Sequence, residues 1–116
     1  MNIETHQKGD YYVFKFKEDI GLGSDLSVLK PMIEEKIGIG ITNIALAFTK
    51  GSYLYTRSIA TLVVCFEMIK EHNGQLALIS PNKSIQDILG IIDFPKIIRV
   101  CKSEEELLDL HAMARK

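Results

Sequence analysis

The run IALAF, Ile44 to Phe48, is short and apolar at every position, with GIGITN before it and a polar loop after it. A nearly continuous apolar run of this length is what a strand buried on both faces requires, and such strands need helices over both faces of their sheet. The flanking sequence supplies helical patterns. Before the run, GLGSDLSVLKPMIEEKI spaces Leu26, Leu29, Ile33 and Ile37 for one helical face, with Ser24 or Asp25 as N-cap candidates. Pro31 lacks an N–H, so that helix either begins near Lys30 or has a kinked first turn. After the run, SYLYTRSIATLVVCFEMIKEHNG passes at Ser58 from a polar loop to an apolar helix. Ile59, Leu62, Val63, Phe66 and Ile69 share one side of it, Glu67, Lys70 and Glu71 lie away from it, and HNG is the stop.

Further along, QLALIS (Gln75 to Ser80) reads as a strand and SPNKSIQDILGIID as a short helix carrying Ile85, Ile88 and Leu89. KIIRV (Lys96 to Val100) is a last strand, and KSEEELLDLHAMARK closes the chain as a helix. In that helix Ser103 and Glu106 have capping-box spacing; Glu104 and Glu105 suit the positive end of the dipole, and Arg115 and Lys116 the negative end. At the other terminus, YYVFKFK alternates Tyr11, Val13 and Lys15 with Tyr12, Phe14 and Phe16, a strand pattern. NIETH is its expected hairpin partner across Gly9 and Asp10. Two strands followed by alternating helix and strand predict an α/β domain, a central mixed sheet of about four to five strands with about four helices, its later strands parallel.

At 116 residues the chain is expected to form one domain, residues 1–116. Its 47% hydrophobic and 25% charged residues are those of an ordinary globular protein and argue against a membrane span. A net charge of −1, from 14 basic and 15 acidic side chains, lacks the electrostatic footprint of a nucleic-acid binder. MNIETHQKGD has no targeting pattern, so a cytoplasmic location is expected. Cys65 and Cys101 read as buried small hydrophobes. His6, His72 and His111 fall in three unrelated elements without metal spacing. Gly21-Leu22-Gly23 lacks the third glycine of a dinucleotide fingerprint and the lysine of a P-loop, and reads as a plain loop. No metal, cofactor or catalytic constellation is expected.

The layout resembles the STAS domains of bacterial anti-sigma factor antagonists. The resemblance rests on the strand pair, the run IALAF, the loop into a helix ending at Asn73-Gly74, the step NGQLALIS, the passage DILGIIDFPKIIRV and the terminal SEEELLDL. It implies a non-catalytic regulatory module that binds a protein partner, an anti-sigma factor or serine kinase and with it a serine phosphatase. That family carries an Asp-Ser-Ser-Gly or Asp-Ser-Ala-Gly segment at the start of this helix. Counted back from Asn73-Gly74, the segment falls on Thr56, Arg57, Ser58 and Ile59, which makes Ser58 the expected phosphoacceptor and puts Thr56, Arg57 and Ile59 where the family has other residues.

A phosphoserine at a helix mouth would sit on free N–H groups and a positive dipole end, with Arg57 as a charge-assisted partner. That expectation requires the Ser58 hydroxyl to stand open to solvent; the plain alternative is an N-cap, a role Thr56 could fill as well. Ahead of it, Tyr53, Leu54, Tyr55, Thr56 and Arg57 form the expected partner-binding surface, since Tyr and Arg are enriched at interfaces. Two other functions fit the same chain. One is an unphosphorylated interaction or assembly module in a signalling complex; the other is a small α/β ligand-binding protein or enzyme.

Overall fold

Gly9, with φ +59, and Asp10 form a two-residue turn that folds strand β1 (Ile3–Lys8) back on β2 (Tyr11–Phe16), pairing Lys8 with Tyr11 and Ile3 with Phe16. The expected hairpin is present. The computed structural model describes residues 1–80, 82–91 and 98–108, with the side chains of 88–91 left aside. Strands β3 (Asn43–Ala47), β4 (Gln75–Ile79) and β5 (Arg99–Cys101) follow β2 in parallel, so that the sheet order equals the chain order. Of the predicted strand Lys96 to Val100, Lys96 and Ile97 lie outside the described residues, as do His111, Arg115 and Lys116.

Each central strand alternates large and small residues. Phe14, Phe16, Ile44, Leu46, Leu76 and Leu78 turn to one face, where they pack with Leu29 and Ile33 of helix α1 (Leu29–Gly38), with Leu62, Cys65 and Ile69 of α2 (Thr56–Glu71) and with Ile85 of α3 (Lys83–Ile91). Val13, Ala45, Ala47, Ala77, Ile79 and Cys101 turn to the other face and meet Leu107, within the helical residues 104–108. That is why IALAF reads as apolar throughout: each face of β3 has a helical layer, and alanines on the second face let that layer approach closely.

The Pro31 question has a local answer. A short 3-10 turn (Leu26–Val28), capped by the Asp25 carboxylate accepting from the Ser27 N–H at 2.9 Å, leads straight into α1. Pro31 is the third residue of α1, in the first turn, where a missing N–H leaves no helical bond unmade. At the terminal helix the Ser103 hydroxyl accepts from the Glu106 N–H, and the Glu106 carboxylate reaches back to the Lys102 N–H, one residue beyond the usual capping box.

Candidate functional site

The segment between β3 and α2 leaves the sheet at the carboxyl ends of its parallel strands, where α/β folds place their functional loops. Neighbouring loops hold it down. The Ser52 hydroxyl, almost fully buried, accepts from the Ile20 N–H at 2.9 Å and bonds Thr49 Oγ1 at 2.6 Å, while Thr49 donates to the Asp19 carboxylate at 2.5 Å. Tyr53 N–H donates to the Ile20 carbonyl at 2.7 Å. From the β4–α3 connection, Asn82 Nδ2 donates to the carbonyls of Lys50 and Ser52, while Asn82 Oδ1 accepts from the Ser84 N–H. Gly51 passes so close to Asp19 that a Cβ there would lie 2.5 Å from the carboxylate.

On this scaffold the side chains divide sharply. Leu54 turns into the core, 1% exposed, so it is a packing residue and not the partner contact expected of it. Tyr53 and Tyr55, on either side of it, both point outward and pack on each other, ring centroids 5.0 Å apart at 59°. Thr56 and Arg57 are exposed in the first turn of α2. Arg57 Nη2 lies 3.3 Å from Asp25 Oδ2. A cation beside a helix N-terminus is disfavoured by the dipole, and the Asp25 carboxylate offsets that. Asp25 is held below the usual carboxylate range chiefly by its bond from the Ser27 N–H, with Arg57 a smaller contribution.

Helix α2 begins at Thr56, two residues earlier than expected, and its N-cap position is Tyr55, which makes no side-chain capping bond. Neither Ser58 nor Thr56 is the cap. Ser58 is the third helical residue and lies on the stripe Ser58, Leu62, Cys65, Ile69 that faces the core. Its hydroxyl is therefore buried, 2% exposed, where solvent access was expected. Among the described residues that hydroxyl has no hydrogen-bond partner. The helical period is the cause: Ser58 stands one turn before Leu62, so the face that buries Leu62, Cys65 and Ile69 carries Ser58 inward as well.

Sequence reasoning missed the residues that fix this surface. Asp19, Ser52 and Asn82 act across loops far apart in the chain, and no local pattern marks them; Asp25 stood out only as a cap. Leu22, in the plain loop Gly21-Leu22-Gly23, is the most exposed large apolar side chain described, at 76%. It sits between the two ties that join its loop to the site, Ile20 to Tyr53 and Asp25 to Arg57. Leu22, Tyr53, Tyr55 and Arg57 thus belong to one end of the molecule. Among the described residues no helix is long and apolar enough to cross a membrane.

Comparison with known proteins bears on the whole domain. The family model described as "STAS domain" matches residues 2–107. The fold is similar to that of Thermotoga maritima TM1081, described with its crystal structure as a proposed anti-sigma factor antagonist. That crystal structure matches with a TM-score of 0.79 at 17% identity over 92% of each chain. The NMR structure of the same protein matches with a TM-score of 0.73 at 17% identity, over 90% of this chain and 84% of that one. Among curated proteins none matches the sequence.

Proposed function

The chain belongs to the STAS domain family, and from that premise we propose that it is a non-catalytic regulatory module that docks a protein partner through Leu22, Tyr53, Tyr55, Thr56 and Arg57. The partner is an anti-sigma factor or serine kinase, in a bacterial cytoplasmic pathway controlling transcription. One observation carries the reading: two tyrosines are held half-exposed on a hydrogen-bonded loop, next to an arginine ion pair. Rigid aromatic side chains beside an arginine lose little conformational freedom on docking and form the commonest kind of binding hot spot.

Burial of Ser58 favours the unphosphorylated form of this reading. A kinase would have to open the first turn of α2 before reaching that hydroxyl, and a phosphate would then occupy core volume beside Leu62. Phosphorylation at Ser58, reversed by a serine phosphatase, is the second reading; it is supported by the free N–H groups of the helix start. Titration calorimetry with candidate anti-sigma factors and serine kinases tests the first. Tyr53→Ala or Arg57→Ala should weaken binding by about tenfold or more, the cost of truncating a hot spot. Unchanged affinity in both variants removes the surface from the role. Incubation of the folded protein with the kinase and ATP, read by intact mass, separates the two readings: no added phosphate supports the first, and one phosphate lost in Ser58→Ala supports the second.

A further inference from the structure

Strand β1 closes one side of the sheet, and its ladder geometry fixes which backbone groups are spent. The Lys17 N–H donates to the Asn2 carbonyl, and the register then makes Asn2, Glu4, His6 and Lys8 the residues that exchange hydrogen bonds with β2. Ile3, Thr5 and Gln7 must therefore aim their N–H and C=O groups away from the sheet. Among the described residues nothing accepts or donates to them. Thr5 and Gln7 are exposed. The strand contains no proline, and its register with β2 is unbroken from end to end, so two of the usual devices that blunt an edge are absent. The third device, charge, is present in a form that complements itself: Glu4 and Lys8 lie on the same face of β1, with opposite signs.

We propose that β1 pairs antiparallel with β1 of a second copy of this chain, Glu4 opposite Lys8 of that copy, extending the sheet across a two-fold axis. In this register Thr5 and Gln7 of each copy exchange both backbone hydrogen bonds across the interface. Glu4 and Lys8 form the closer, non-hydrogen-bonded pairs, where side chains interact most strongly, and the two-fold makes each pair occur twice. His6 meets its own copy at the axis, and Glu104, 2.6 Å from its ring nitrogen, supplies a carboxylate there. A one-residue slip would set outward-facing groups against spent ones, so the pattern of free backbone groups and the charges select the same alignment. The edge shares no residue with the Tyr53 to Arg57 surface.

Sedimentation velocity of the full chain over a range of concentration tests this, with far-UV circular dichroism as the control for folding. The wild type should show a concentration-dependent dimer. Thr5→Pro removes an outward N–H and leaves the β1–β2 ladder whole, and should give a folded monomer. Glu4→Lys should weaken the dimer about tenfold by setting like charges opposite each other, and adding Lys8→Glu should restore it. A wild type that stays monomeric at sub-millimolar concentration overturns the proposal and leaves the edge to a foreign strand. A dimer that ignores Thr5→Pro, or that the Lys8→Glu exchange fails to rescue, overturns it equally.

Discussion

At the scale of single residues, close backbone approach constrains the chain more than chemistry does. A Cβ on Gly74 would collide with the Thr42 carbonyl, which is backbone and cannot swing aside, while Asn73 before it holds φ 60 as α2 ends. Gly74→Ala should therefore cost about 3 kcal/mol in urea unfolding, at the large end for a point change. Ser58 gives the opposite result. Ala there removes a buried hydroxyl without a described partner and should leave stability equal or up to about 1 kcal/mol higher, whereas Asp buries an uncompensated carboxylate and should cost about 3 kcal/mol. Cys65 and Cys101 are both free, and burial pushes each thiol from 9.0 up to about 11. Their folded pKa values lie above the unfolded ones, so their contribution is complete below pH 9.0 and is lost as pH rises toward about 11. Native protein at neutral pH should not react with a disulfide reagent until urea unfolds it.

At the scale of elements, α2 shows how far sequence patterning reaches. Its type and its end at HNG were legible, because a helical period and a stop signal are local properties of the chain. Its first residue was not: Tyr55 at the N-cap position makes no side-chain capping bond, so no local cap residue marks the start. Ser58 is buried because it stands four residues before Leu62, on the face that the helical period carries to the core. The buried stripe predicts the energetics: Leu62→Ala should cost about 2 to 5 kcal/mol, and Val64→Ala, on the exposed side of the same helix, within about 0.5 kcal/mol, both read from urea midpoints. For β2 the period of two separated the right faces, with Phe14 and Phe16 on one and Tyr11 and Val13 on the other.

At the scale of the whole molecule, helical layers on two faces of a five-stranded sheet carry a loop whose shape is set by bonds from two other connections. The tyrosines and Arg57 were legible as interface residue types, but their common exposure depends on Asp19, Ser52 and Asn82, brought together only by the fold. Gly51→Ala, which drives a methyl group into the Asp19 carboxylate, should accordingly weaken partner binding several-fold with little loss of overall fold; calorimetry and circular dichroism together check this. The most direct measurement is an amide chemical-shift map of the labelled, unmodified protein on addition of its kinase or anti-sigma partner. Perturbations concentrated at residues 20 to 25 and 53 to 57 are predicted; a map centred on another face, or binding that appears only after Ser58 carries phosphate, would contradict the account.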